Sequence, residues 1–244
     1  MSFSVFIPAR HDATRLPGKP LADIAGRPLI QWVYEAACRS DARRVVIATD
    51  DERVVSAASG FGAEVVMTGR HHASGTDRIC EAAGKAGSGD DELIVNLQGD
   101  EPEMPAALIR SVARALADDD QASIATAAHP AGETERDDPN VVKVVCDRRG
   151  YALYFSRSRI PFPRQPQAAA VTWRHLGIYA YRYGYLKRFT GREPTPAERS
   201  ECLEQLRALE YGDRIVVHLS DDATPPGIDT PGDLERFRRK MADG

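Results

Sequence analysis

Short apolar runs alternate with helix-patterned stretches from the start of the chain to Ala117. No other feature constrains the fold as strongly. Phe3, Val5, Phe6 and Ile7 open the series, and RVVIA at 44–48, AEVVM at 63–67 and ELIVNL at 92–97 continue it. Each run is short, continuous and mostly Val, Ile or Leu, the pattern of a strand buried on both faces. Between the runs, apolar residues recur at helical spacing. Leu29, Trp32, Val33, Ala36 and Ala37 predict a helix from Pro28 to Arg39, and Val54, Val55 and Ala58 predict one between Asp50 and Gly60. Ser74 caps a third helix over Gly75–Ala86, and Pro105 opens a fourth with Leu108, Ile109, Val112 and Leu116 inward. Strand–helix repeated four times implies an α/β fold, a Rossmann-like mostly parallel sheet flanked by helices.

The second half changes character. SIATA from Ser123, HLGIYAY at 175–181 and RIVVHL from Arg214 read as strands. VVKVVCD and YALYF read as two more, joined by a turn at Asp147–Gly150. Pro161, Pro163 and Pro166, with the alanines after them, mark a loop. Pro196–Tyr211 reads as one helix with Leu203, Leu206 and Leu209 on its core face, and Asp229-Thr230-Pro231 starts the last helix. The expected organisation is a nucleotide-binding α/β part at 1–120, a smaller mixed β region at 121–224, and a C-terminal helix at 225–244 that packs back on the first part.

In an open parallel sheet, ligands bind beyond the carboxyl ends of the strands. Four loops meet that description. The first carries Arg10, Arg15 and Lys19 with Gly18 between two prolines, which suits a polyphosphate: forked Arg donors, a Lys point charge, and backbone N–H groups brought close by glycine. A solvated basic turn explains the same residues. The others hold Thr49–Asp50, Ser74–Arg78 and Gln98–Pro102. The last, QGDEP, puts Asp100 and Glu101 just after a buried strand, and Asp229 lies in PPGIDTP near the other end of the chain. Two carboxylates opposite a phosphate cradle suit Mg²⁺, which takes a few carboxylates plus phosphate oxygens. A turn residue at Asp100 and a helix cap at Asp229 are the plainer readings.

The chain has 244 residues, a net charge of −4, and no apolar run long enough to span a membrane. That charge excludes a non-specific nucleic-acid binder. No signal peptide is visible, so a cytoplasmic location is expected. The four cysteines are far apart and are expected as reduced thiols, mostly in the core. His71 and His72 are adjacent, and chain neighbours point apart, so a His metal site is not expected. A G-x-x-x-x-G-K-[ST] loop is absent, as is a G-x-G-x-x-G after the first strand. Cationic loop, buried sheet and strand-end aspartate together point to nucleotidyl transfer. A non-catalytic nucleotide-binding module would need the cradle without the paired aspartates, and a glycosyltransferase would carry a D-x-D where this chain has QGDE.

IPAR…TRLPGKPL, VIATDD, SGTDR, VNLQGDEP, YALYFSRSRIP, RHLGIYAY, LEQLRALEYG and GIDTPGDLE resemble, in order and over essentially the whole chain, the 3-deoxy-D-manno-octulosonate (Kdo) cytidylyltransferases, the CMP-Kdo synthetases of Gram-negative bacteria. The GSKG-like element of the CMP-sialate synthetases is absent. The resemblance implies a nucleotide-diphospho-sugar transferase type of fold, and a reaction of CTP with Kdo that gives CMP-Kdo and pyrophosphate for lipopolysaccharide. It implies that Ala9, Arg10, Arg15, Lys19, Thr49, Ser74, Gly75, Thr76 and Arg78 hold the nucleotide. Gln98, Arg157, His175, Tyr179, Glu204 and Gln205 hold the sugar acid, and Asp100 and Asp229 hold Mg²⁺. Arg10, Arg15, Lys19 and Asp100 carry the catalysis, with no evident protein general base. A homodimer through the mixed β region is also implied. His11 and Asp12 depart from the family's first loop, and the Pro163–Val171 loop is short. The 8-amino analogue of Kdo, or another acidic sugar, is the alternative acceptor.

Overall fold

The computed structural model describes residues 1–11, 16–165, 170–221 and 223–242. β1 (Phe3–Ala9) is buried along its whole length. The loop after it is closed by the Gly18 N–H on the His11 carbonyl, 3.0 Å. Gly18 sits at φ +72, which only glycine adopts at little cost, and it leads into a single 3-10 turn, Lys19–Leu21. A small ribbon follows, β2 (Asp23–Ile24) with β3 (Arg27–Pro28); it is too short to leave an apolar pattern. Then come α1 (Leu29–Cys38), β4 (Arg44–Thr49), α2 (Glu52–Gly60), β5 (Glu64–Met67), α3 (Gly75–Lys85), β6 (Leu93–Asn96) and α4 (Ala106–Ala117), the expected alternation. Caps fix two of these starts. Asp51 accepts the Arg53 N–H at α2, and Ser74 with Asp77 forms a reciprocal capping box at α3.

The second half contributes β7 (Ile124–Pro130), the hairpin β8 (Lys143–Cys146) and β9 (Ala152–Ser156), then β10 (Trp173–Arg182), α5 (Tyr183–Thr190), α6 (Pro196–Glu201), α7 (Gln205–Glu210), β11 (Ile215–Leu219) and α8 (Pro231–Ala242). Asp147 makes the hairpin turn by accepting the N–H groups of Arg149 and Tyr151 at 2.8 and 3.0 Å.

One sheet runs through both halves in the order β11-β7-β10-β6-β1-β4-β5, with the β8–β9 hairpin attached to β10. β6, β1, β4 and β5 are parallel. β10 lies antiparallel between β6 and β7, and β11 is parallel to β7. The mixed β region therefore extends the front sheet. Alternation along the strands divides the core. Val5, Ile7, Ile47 and Val95 meet α1, α2, α4 and α8 on one face, and Phe6, Val46 and Ile94 meet α3, α5 and α7 on the other. Phe237 of α8 packs edge-on against Trp32 of α1, ring centroids 5.8 Å apart.

Two expectations are corrected, and one helix, α5, was not foreseen. The helix expected over Pro196–Tyr211 is two, broken at Cys202, which sits at φ 51; the break lets Leu203 and Leu206 both turn inward. α5 follows β10 without a linker, so its pattern merges with the strand's. The cysteines are not core residues: Cys38 and Cys202 are exposed at helix ends, and Cys80 and Cys146 are half-buried. The proline and alanine loop falls partly at 166–169, outside the described residues.

Candidate active site

The chain runs outward from β1 through β4 to β5, then returns to place β6 on β1's other side. Such a reversal opens a crevice at the carboxyl ends of the two strands. Here the strand ends nearly touch. A Cβ on Gly99 would lie 2.6 Å from the Pro8 carbonyl oxygen, so only glycine permits the approach. Gly75 is nearly as tight, its Cβ falling 3.1 Å from the Pro8 ring. These contacts set the α3 N-terminus against the end of β1.

Two cavities meet there. The first, about 200 Å³, is lined by Ala9, Arg10, Lys19, Ser74, Gly75, Arg78, Gln98 and Asp100. The start of α3 supplies N–H groups that favour an anion. Arg10 is exposed, while the Arg78 guanidinium is committed elsewhere: it is buried and donates to Asp50 at 2.8 Å and to Thr68 at 2.6 Å. Arg78 thus ties β4 and β5 to α3 beneath the cavity. Arg15 lies outside the described residues. Thr49 and Thr76 do not line the cavity. Thr49 is buried and accepts the Thr68 hydroxyl on its carbonyl at 3.0 Å, and Thr76 donates to Glu204 at 2.5 Å.

The second cavity, about 700 Å³, is lined by Asp100, Glu101, Asp138, Arg174, His175, Tyr179, Gln205 and Asp229, among others. A bulge in β10 between Leu176 and Tyr179 shapes it. Thr126 pins the bulge, its hydroxyl 2.8 Å from the Ile178 carbonyl and 3.0 Å from His175 Nε2. His175 and Tyr179 stack obliquely, centroids 5.4 Å apart. Burial pushes His175 down to about 3, so the ring is neutral. Gln205 Nε2 is buried with no partner among the described residues, a donor left for a ligand.

Lys19 stands where the cavities join. Its ammonium lies 2.6 Å from Asp100 and 3.3 Å from Asp229. Residues far apart in the chain thus place two carboxylates around one cation, a donor set that fits Mg²⁺. Gln98 lines the first cavity, and its Cγ is 4.0 Å from where Gly177, on the second, would carry a Cβ.

Two expected sugar contacts lie elsewhere. Arg157 donates to the carbonyls of Glu201 at 2.7 Å and Pro139 at 3.1 Å, and its own N–H reaches the Glu201 carboxylate at 2.9 Å. It braces the break before α7. Glu204 lines neither cavity; it links Thr76 to α7, and desolvation raises its pKa. Glu101 and Arg174 were not anticipated as site residues, although QGDEP contains one and RHLGIY begins with the other. Desolvation, reinforced by Asp100, pushes half-buried Glu101 up to about 8, while Arg174 pulls the other way. Arg174 pairs with Glu135. His71 and His72 come together in the turn after β5, ring centroids 4.4 Å apart.

A two-cavity crevice at the switch point of such a sheet, with a cation between paired aspartates, defines a nucleotidyltransferase. The chain belongs to the cytidylyltransferase family, whose model, described as "Cytidylyltransferase", matches residues 4–215. Within it, the chain belongs with the 3-deoxy-manno-octulosonate cytidylyltransferases. It is 49% identical over 248 residues to the one from Vibrio vulnificus strain YJ016, covering 99% of each chain. It is 50% identical over 249 residues to the one from Vibrio cholerae serotype O1 strain M66-2, covering 100% of this chain and 99% of the relative. Among solved structures, a CMP:2-keto-3-deoxy-manno-octonic acid synthetase complexed with CTP superposes with a TM-score of 0.93 at 42% identity, covering 100% of this chain and 99% of that one. A cytidylyltransferase from Leptospira borgpetersenii shares the fold at a TM-score of 0.67 and 18% identity.

Proposed function

We propose that this protein transfers the cytidylyl group of CTP to the anomeric hydroxyl of Kdo, giving CMP-Kdo and pyrophosphate for lipopolysaccharide assembly. One observation carries the reading: the crevice at the ends of β1 and α3 and a larger acceptor cavity share Asp100, with Lys19 bridging Asp100 and Asp229 at the junction. The acceptor oxygen bonds to the α-phosphorus while the bond to the bridging oxygen of pyrophosphate breaks. Charge grows on the departing phosphates, next to Arg10, Lys19 and the α3 N-terminus. These groups are in place before reaction, which is the most effective form of charge stabilisation.

Asp100 and Asp229 would hold Mg²⁺, which when bound would supply charge neutralisation and favour the deprotonated acceptor hydroxyl. The acceptor wall explains why a cation is needed. Among its described lining residues are Asp100, Glu101, Asp138, Asp229 and Asp233, against Arg174 as the cation. An anionic sugar acid is bound there only if positive charge is brought to it. Gln205 and neutral His175 orient the sugar by hydrogen bonds, and Arg157 and Glu204 act as positioning residues behind them.

The protein works in the cytoplasm, where CTP is made; no helix among the described residues is long and apolar enough to cross a membrane. It works as a homodimer through the hairpin side of the sheet, where Leu153, Tyr154, Val171 and Phe162 are exposed, Phe162 at 80%. Light scattering that gave a monomer at working concentrations would overturn the dimer. Pyrophosphate release, measured with each NTP against Kdo, 8-amino-Kdo and a sialic acid, tests the activity. Turnover is expected with CTP plus Kdo, and none with that pair, or a clear preference for the 8-amino sugar, would overturn the assignment.

A further inference from the structure

Three metal-ligating side chains converge at the edge of the nucleotide cavity, which His72 itself lines, and take no part in the chemistry described so far. His71 and His72 come from the turn after β5, and Glu81 reaches back to them from α3. One ligand atom from each lies within 4.8 Å of the other two. His72 Nε2 is hydrogen-bonded to Glu81 Oε2.

The surroundings hold this cluster in shape. The His71 ring lies flat against the backbone at Gly69, where a Cβ would fall 2.4 Å from Cε1 and 2.5 Å from Nδ1. Only glycine leaves room for the ring. The Gly69 N–H also donates to Glu81 Oε2 at 3.0 Å, and Lys85 holds the other carboxylate oxygen at 2.6 Å. Partial burial works against ionisation of Glu81, but Lys85, the Gly69 N–H and His72 outweigh it and hold the carboxyl down to about 2. A ligating carboxylate oriented by its own hydrogen bonds is the usual support of a metal site.

We propose that His71, His72 and Glu81 bind a borderline divalent transition metal, Zn²⁺ or its substitute Co²⁺, at a site separate from the Asp100–Asp229 pair. Two imidazoles and one carboxylate suit these ions, whereas Mg²⁺ avoids imidazole and prefers all-oxygen shells. Three protein ligands leave one position open. Around a tetrahedral Zn²⁺, ligand atoms stand about 3.4 Å apart, so closing the site needs His72 and Glu81 to part from hydrogen-bond contact and exposed His71 to turn towards them. The ion takes the place of the hydrogen between His72 and Glu81, and His72 ligates through Nε2 as the neutral imidazole that carries its proton on Nδ1.

The test is Co²⁺ binding to the intact protein in excess Mg²⁺, read by visible absorption, with Zn²⁺ competition by calorimetry. The expected result is one ion per chain with nitrogen and oxygen ligation, displaced by Zn²⁺. Co²⁺ affinity should fall at least about 100-fold in His71→Gln and in Glu81→Gln, since even outer-shell partners cost about 10–100-fold. Both variants should keep the wild-type circular dichroism, and Glu81→Gln keeps an acceptor for Gly69. Unchanged affinity in folded variants overturns the proposal. So does a thiolate charge-transfer band, which would place the ion on exposed Cys38 or Cys202. Absence of stoichiometric binding by the wild type overturns it equally.

Discussion

The nucleotide cavity and the acceptor cavity share Asp100 but are built in opposite ways. The nucleotide side is made of strand-end loops from the front half, and it offers backbone N–H groups, glycines and the cations Arg10 and Lys19. The acceptor side gathers β10, the start of α7, and the segments around Asp138 and Asp229, and its ionisable lining is mostly acidic. One side waits for an anion with charge already in place. The other sets several acidic residues against Arg174. Lys19 lines the first and reaches towards the second, its ammonium pairing with both Asp100 and Asp229.

The sharpest way to break this comparison is to remove the shared cation. Lys19→Ala should slow pyrophosphate release about 100-fold or more, the typical cost of losing one preorganised charge-stabilising donor. Its Mg²⁺ requirement should not rise, because the ammonium competes with Mg²⁺ for Asp100 and Asp229. Near-normal turnover, or a large rise in the Mg²⁺ needed, would mean that Lys19 does not join the two cavities. Asp100→Asn should do the reverse and raise the half-saturating Mg²⁺ concentration, by about 10- to 100-fold judging from the cost of disturbing metal-site partners. An unchanged Mg²⁺ titration would remove Asp100 from the metal site.

Gln205 and Arg157 separate contact from support. Gln205→Ala should raise KM for Kdo about tenfold, the worth of one buried hydrogen bond, and leave KM for CTP nearly unchanged. Arg157→Ala should instead lower the melting temperature, because it frees the carbonyls of Pro139 and Glu201 at the helix break. A selective rise in KM for Kdo with no loss of stability would return Arg157 to the sugar.

The same contrast governs what could be read from the sequence. The front half follows rules that a sequence displays: buried strands are continuous apolar runs, helices keep their spacing, and strand-end loops face the ligand. Arg10, Lys19, Ser74 and Asp100 therefore fall where the pattern puts them. Arg78 shows the limit, since a cation on the right loop turned inward to Asp50. The acceptor side depends on local exceptions. A bulge in β10 turns His175 and Tyr179 together, and a left-handed Cys202 breaks the helix so that Gln205 faces the cavity and Glu204 faces Thr76. Neither exception alters hydrophobic periodicity, so neither is visible in it. Adjacent His71 and His72 approach each other for a similar reason, since the divergence of chain neighbours in a regular element need not hold in a turn.

The smallest expected effect is a pH signature of the acidic wall. Glu101 titrates near 8 in the folded chain against 4.5 as an ordinary glutamate. Between these values the unfolded chain has lost the proton and the folded one keeps it, so this residue makes stability fall as pH rises from about 4.5 to 8. Neutral His175, lowered to about 3 from 6.5, acts in the opposite sense: its contribution is present above 6.5 and is lost as pH falls towards 3. The two oppose each other between 4.5 and 6.5, and Glu101 acts without His175 from 6.5 to 8. Denaturant unfolding without Mg²⁺ should show a decline over that upper window of at most about 2 kcal/mol. Glu101→Gln should flatten it. Mg²⁺ should flatten it in the wild type, because a cation on Asp100 and Asp229 offsets the charges that oppose ionisation of Glu101. A decline that persists unchanged in Glu101→Gln would assign it to another group and leave the acceptor wall without its uncharged member.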